Sequence, residues 1–205
     1  YVSSPGNLYC LDAATGERIW NYTIGWLMLS SPAVAEGKVY VGSDEGHDLH
    51  CVNASTGERI WTYEIEVLTS SPAVADGRVY IGSLDRNVYC FDASNGTKIW
   101  NFTTGGWVVS SPAVVHGRVY VGSRDNNVYC LDVSSGRKIW IYQTGGWVDS
   151  SPAVADGKVY VGSWDGNLYC LDALTGSALW SYKTGNAVYS SPAVADGKVY
   201  VGSKD

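Results

Sequence analysis

Nothing in the sequence reads as a helix. No window places apolar residues at i, i+3 and i+4, so the chain is expected to be all-β. Apolar runs are only a few residues long, too short to span a membrane, and no signal peptide is visible. Basic residues are outnumbered, 14 Lys and Arg against 20 Asp and Glu, and the net charge of −6 is spread with both signs interspersed. A nucleic-acid partner is therefore not expected, because such footprints are basic. Cysteine is sparse and never adjacent: Cys10, Cys51, Cys90, Cys130 and Cys170 recur about 40 residues apart. That odd number and that spacing fit neither a disulfide framework nor a metal knuckle, and they read as small buried hydrophobes. No nucleophile is spaced for pairing with a base, so no catalytic residues are assigned and the chain is read as a non-enzyme.

What is present is repetition. SSPAV begins at Ser30, Ser70, Ser110, Ser150 and Ser190, and an anchor tryptophan recurs as Trp20, Trp61, Trp100, Trp140 and Trp180. A fixed period near 40 marks a repeat architecture. Within the unit Ser110–Val148, four strands are expected. The first is placed at Trp107 to Val115 and the second at Arg118 to Ser123, joined at His116-Gly117. The other copies carry Asp-Gly or Glu-Gly there, a two-residue hairpin signal that demands positive φ at both positions. Asp125-Asn126-Asn127 turns into VYCLD and Ser134-Ser135-Gly136 into KIWIYQT. Strand text that is apolar on both faces suits a sheet packed between two neighbours. Pro32, Pro72, Pro112, Pro152 and Pro192 fall in the first strand, which marks it as an edge, the innermost of a propeller blade.

The stretches CLDAATGERIW (Cys10 to Trp20), CLDVSSGRKIW and CLDALTGSALW resemble the tryptophan-docking repeat of the pyrroloquinoline-quinone-type β-propellers, roughly A-x-D-x-x-T-G-x-x-x-W. The chain departs from it in carrying Cys for Ala, Asn53 for the Asp, and Asn95 and Ser135 for the Thr. The resemblance implies that Asp12, Asp92, Asp132 and Asp172, with Thr15, Thr56 and Thr175, hold a turn while the five tryptophans pack on the adjacent blade. It also implies an extracellular, cell-surface or periplasmic setting. Four Asn-x-Ser/Thr sequons, at Asn21, Asn53, Asn95 and Asn101, agree with display outside the cell.

At 205 residues and 45% hydrophobic, one domain is expected, with repeats at about 30–69, 70–109, 110–149 and 150–189. Residues 190–205 would join 1–29 in a fifth blade, Asn7 to Asp12 pairing with Lys198 to Ser203. Closure would remove the exposed edges, giving a five-bladed ring and a monomer. Tyr1 to Ser4 duplicates the text of that second strand and would be redundant. The alternative is a fragment of a seven- or eight-bladed ring. The chain opens on Tyr1 rather than Met, as expected of a piece cut or processed from something longer.

The repeats differ mainly in the loops at one end of each blade. That face collects Trp26, Trp107, Trp147, Trp164 and Tyr189 with Asp85, Arg86, Asp125, Asp149 and Asp165. Aromatics beside carboxylates make a ligand surface, because rings stack on sugars and hold cations; the plainer reading is that Trp107 and Trp147 fill the mouth of the axis. The cluster Asp44, Glu45, His47 and Asp48, with His50 beside it, offers donors for a divalent ion or is simply a solvated acidic loop. Two functions follow: an interaction scaffold with a protein partner, or a binder of carbohydrate or a metal ion. A quinone-dependent oxidoreductase is a remote third. No cofactor is expected, since that family's enzymes use adjacent cysteines this chain lacks.

Overall fold

The computed structural model describes residues 1–4, 6–25, 30–43, 47–66 and 68–205. Trp26, Asp44 and Glu45 lie outside the described residues. Among the latter there is no helix; 21 strands run in chain order. The first sheet holds β1 (Val2–Ser4), β2 (Gly6–Leu11) and β3 (Arg18–Gly25). The second holds β4 (Ala33–Ala35), β5 (Lys38–Gly42), β6 (Asp48–Asn53) and β7 (Arg59–Glu64). The third is β8 (Ala73–Ala75), β9 (Arg78–Gly82), β10 (Asn87–Asp92) and β11 (Lys98–Thr103), and the fourth β12 (Ala113–Val115), β13 (Arg118–Gly122), β14 (Asn127–Asp132) and β15 (Lys138–Gln143). In the fifth are β16 (Ala153–Ala155), β17 (Lys158–Gly162), β18 (Asn167–Asp172) and β19 (Ala178–Lys183), followed by a pair, β20 (Ala193–Ala195) and β21 (Lys198–Tyr200). Four sheets are thus four-stranded antiparallel meanders, arranged like propeller blades.

Local chemistry sets each meander. His116 (φ 49°) and Gly117 (φ 75°) adopt the positive φ that a tight hairpin requires, as do Asp76-Gly77 and Asp156-Gly157. The first strand is shorter than the sequence suggests: Trp107 to Pro112 stay outside β12, and the proline precedes the ladder it cannot donate to. First strands of consecutive blades pack on one another, and serines link them. Ser31, Ser71, Ser111 and Ser151 each donate a backbone N–H to the hydroxyl of Ser71, Ser111, Ser151 and Ser191, at 2.9–3.1 Å.

The core lies between blades. Tyr120, Val128, Cys130 and Trp140 of one sheet pack on Val159, Val161 and Leu171 of the next, whereas Val119 and Val121 face back to the preceding sheet. Alternate side chains of one strand serve opposite neighbours, so both faces read apolar. All five cysteines are buried and free; burial pushes the Cys51 and Cys90 thiols up to about 11 and Cys130 up to about 12.

Each blade-to-blade contact ends in one joint. Asp172 Oδ1 accepts the backbone N–H groups of Leu174 (3.0 Å) and Thr175 (2.8 Å), and Gly176 sits at φ +75°. A Cβ on Gly176 would lie 2.6 Å from Trp140 Cδ2, so the indole lies against a bare backbone. Trp140 Nε1 (3.1 Å), the Tyr120 hydroxyl (3.0 Å) and Arg118 Nη1 (2.7 Å) all donate to the carbonyl of Ala173. Trp20, Trp61 and Trp100 make the same joint with Ala54, Ala93 and Val133.

The ends depart from the five-bladed closure expected of the sequence. β1 takes the strand slot beside β2, Val2 opposite Tyr9 and Ser4 opposite Asn7, while β20 and β21 pair only with each other. The nearby segment wins the slot because closing a short loop costs less entropy than closing the whole chain. Trp180 is consequently 41% exposed, and nothing lies within 4 Å of a Cβ built on Gly16, the position its ring would cover in a closed ring. Leu11 is 38% exposed where its counterparts Val52, Phe91, Leu131 and Leu171 are fully buried.

Candidate functional site: an aromatic belt across three blades

The loops that vary between repeats are bound into one surface. From the third sheet onward, a Thr-Gly-Gly-Trp or related loop leaves the fourth strand and leans on the segment after the second strand of the next sheet. Gly105 donates its N–H to Asp125 Oδ2 (2.7 Å), and Arg124 N–H donates to the Trp107 carbonyl (2.9 Å). One blade on, Gly145 donates to Asp165 Oδ2 (2.7 Å) and Trp164 N–H to the Trp147 carbonyl (2.9 Å). A Cβ on Gly146 would strike Asp165 N at 2.6 Å, so this approach requires glycine.

Asp125 and Asp165 are therefore turn-holders. Asp125 also accepts from Asn127 N–H (3.1 Å) and the Tyr129 hydroxyl (2.5 Å). Asp165 accepts from Asn167 N–H (2.9 Å) and Tyr169 (2.7 Å). Burial raises the Asp165 carboxyl, yet the bonds from Tyr169, Asn167 and Gly145 outweigh it and hold the group below the usual carboxylate range. Tyr169 is pushed up to about 12 by burial and by Asp165. Asp85 makes the same turn, bonding Asn87 N–H and Tyr89.

On this frame stands a continuous belt. Arg124 Cζ lies 5.2 Å from the Trp107 ring centre and 4.9 Å from that of Trp147, a cation between two indoles. Its Nε and Nη2 donate to both oxygens of Asp149, at 2.9 and 3.0 Å, a bidentate pair. Trp164 Nε1 donates to the same carboxylate (3.0 Å). Trp147 and Trp164 are 5.4 Å apart and tilted by 59°; Trp164 and Tyr189 are 5.9 Å apart at 36°. Trp107, Trp147, Trp164 and Tyr189 are 40–48% exposed. Hollows of about 290 Å³ and about 420 Å³ lie between Trp107 and Trp147 and between Trp147 and Trp164.

Arg124 is the residue that sequence reasoning misses. Its slot holds Leu84, Trp164 and Lys204 in other repeats, and the Asp149 slot holds Thr69, Val109 and Tyr189. The signal is the coincidence of opposite charges in neighbouring variable slots of consecutive repeats. Two members of the candidate metal cluster, Asp44 and Glu45, lie outside the described residues; among the described residues no three His, Cys, Asp or Glu side chains converge. His47 sits exposed at φ 53°, and the Asp48 main chain bonds Ser43. His50 is buried on β6 with the Tyr22 hydroxyl 3.4 Å from Nδ1 and no partner for Nε2.

Meanders stacked face to face and joined by tryptophan-on-glycine contacts define a β-propeller-type repeat protein. The profile of the family described as outer membrane protein assembly factor BamB matches residues 1–66, 45–147 and 144–205, and the chain belongs to this pyrroloquinoline-quinone-type repeat family. Solved structures with the same fold include BamB from Moraxella catarrhalis (TM-score 0.83, 18% identity, covering 95% of this chain and 63% of that one). The computationally designed Ika8 protein is also similar (TM-score 0.87, 18% identity, 97% and 63%). So is the quinohemoprotein alcohol dehydrogenase ADHIIG from Pseudomonas putida HK5 (TM-score 0.70, 20% identity, 84% and 38%). The chain spans 63% of the length of the first two. No curated protein matches the sequence.

The fold family raises the question of a quinone cofactor, and the residues on the belt do not fit one held through a metal ion. Its carboxylates are engaged, Asp149 by Arg124 and Trp164, Asp125 and Asp165 by turn N–H groups, so none is left for a cation.

Proposed function

We propose that the chain is a non-enzymatic interaction scaffold of the cell envelope, and that a protein partner docks on the belt from Trp107 to Tyr189. The observation that carries this reading is the belt itself: four large aromatic side chains, 40–48% exposed, ordered by a half-buried bidentate ion pair. Exposed aromatics and arginine are the residues that anchor protein interfaces, and rigid rings lose little entropy on binding. The family description, outer membrane protein assembly, supports the envelope setting and the scaffold role. Non-enzymatic is supported by the state of the polar groups: Asp125 and Asp165 are held in structural bonds, and the Cys90 and Cys130 thiols are buried with raised pKa values. Among the described residues no helix is long and apolar enough to cross a membrane.

A photo-reactive residue placed at Tyr189 tests this in cells that express the protein. A discrete protein adduct that disappears on Trp147→Ala is the expected result. Adducts indifferent to that substitution would refute the docking face.

A further inference from the structure

We propose that the two open ends of the chain fit each other, so that a second copy docks head to tail and its C-terminal half-blade completes the first sheet. This surface is separate from the belt and does not depend on the docking reading above. The first observation is that each end carries one half of a joint the chain builds within itself. Trp20, Trp61, Trp100 and Trp140 each donate to a carbonyl of the following sheet. A Cβ on Gly57, Gly96, Gly136 or Gly176 would lie 2.6–2.7 Å from the indole seated there. Trp180 has the ring and the N–H but no seat, and is exposed. Gly16 is a seat without a ring, with nothing within 4 Å of a Cβ built on it. Beside it the Ala13 carbonyl stands where Ala54, Ala93, Val133 and Ala173 accept from the indoles, and among the described residues nothing donates to it.

The second observation is the backbone. The N–H groups of Ala54, Ala93, Val133 and Ala173 donate to the carbonyls of Gly37, Gly77, Gly117 and Gly157, at 2.9–3.0 Å. The N–H of Ala13 and the carbonyl of Gly197 form no such bond, and they sit at opposite ends of the chain. β21 pairs only with β20, whereas its counterparts β5, β9, β13 and β17 are paired on both sides. Laid beside β2, β21 would set Tyr200 opposite Cys10, the register that Tyr40 keeps with Cys51 and Tyr160 with Cys170. Within one chain no strand pairing joins these ends, so a second copy supplies the complement. The slot beside β2 is held by the three residues of β1, and Tyr1-Val2-Ser3-Ser4 is nearly the text of Tyr200-Val201-Gly202-Ser203. Docking therefore exchanges a strand for its near-copy, as in domain swapping, and brings β20 with it. It also covers Leu11, Trp180 and Tyr200, which are 38–54% exposed, and removing such apolar surface from water favours association. Each docked copy keeps one free end, so the interface is heterologous and the assembly grows until its ends meet. In dilute solution the copies separate and the single chain keeps its edge open.

The test is sedimentation velocity of the intact chain over a wide range of concentration, where the mass should rise with concentration. Trp180→Ala removes the ring, and Gly16→Asn keeps a left-handed turn but fills the seat. Each should weaken self-association about tenfold or more. Mixed together, the two variants should form a dimer and stop there, because one retains the seat and the other the indole. Removing Tyr1 to Ser4 empties the slot and should tighten association, and Ile139→Ala, at an exposed position on β15, should leave it unchanged. A single-chain mass at every concentration would overturn the proposal and leave the ends to a different occupant. Variants that associate as the parent does, or a mixture that stays monomeric, would overturn it as well. Loss of association on removing Tyr1 to Ser4 would refute the strand exchange.

Discussion

Trp140→Ala and Trp180→Ala should differ sharply, although the two residues occupy the same place in consecutive repeats. Trp140 is 8% exposed, lies against Gly176, and donates to the Ala173 carbonyl. Removing a buried indole exposes or voids about 150–250 Å² of mostly apolar surface, which at about 25 cal/mol/Å² is about 4–6 kcal/mol. The lost hydrogen bond adds little, because Tyr120 and Arg118 still donate to that carbonyl. Relaxation of the neighbours brings the expected cost to about 3–5 kcal/mol. Trp180 is 41% exposed and has no carbonyl to donate to among the described residues, so its replacement should cost about 1 kcal/mol or less. Urea unfolding of both variants beside the parent, with unchanged m-values, gives the two numbers. Equal losses would refute the open-edge account and would mean that Trp180 is docked, as a closed five-bladed ring requires.

Further outcomes follow from single sites. Burial, then Arg59, depress His50 to about 4, below its unfolded value near 6.5. The unfolded chain therefore binds the proton first, and stability is full above pH 6.5 and falls by on the order of 2–3 kcal/mol as pH drops toward 4. Melting curves should show His50→Tyr, the residue its counterparts Tyr9, Tyr89, Tyr129 and Tyr169 carry, losing much of that slope; an unchanged slope would place the titration elsewhere. Arg124→Lys keeps the charge but loses the fork and the stack, and should cost about 1–2 kcal/mol and loosen Trp107 and Trp147, read as a change in their fluorescence. The buried, high-pKa cysteines should react with a thiol reagent at pH 8 only at the rate of unfolding; fast stoichiometric labelling would contradict the inter-blade core.

Much of the fold is legible because its determinants are local. His116-Gly117 selects a hairpin by φ alone, and Asp172 with Gly176 builds a turn from five residues. Strand text apolar on both faces reports burial between two sheets without any knowledge of the neighbours. Closure is not legible in the same way. Val2 and Val201 sit in nearly the same strand text, and choosing between them turns on loop entropy, a quantity spread over the whole chain. The belt is half legible: the aromatics are conspicuous, but Asp125 and Asp165, which read as ligand carboxylates, spend their oxygens on Gly105 and Gly145 N–H groups. Arg124 and Asp149 meet only because consecutive blades stack in register, 25 residues apart in sequence.

The central claim, that partners are met at the variable-loop end, is tested most directly by hydrogen exchange on the complex with the protein captured from position 189. Protection is predicted for the segments 104–108, 124–126, 144–149, 164–166 and 186–189. Protection confined to the opposite end, at the hairpins Asp76-Gly77, His116-Gly117 and Asp156-Gly157, would contradict it.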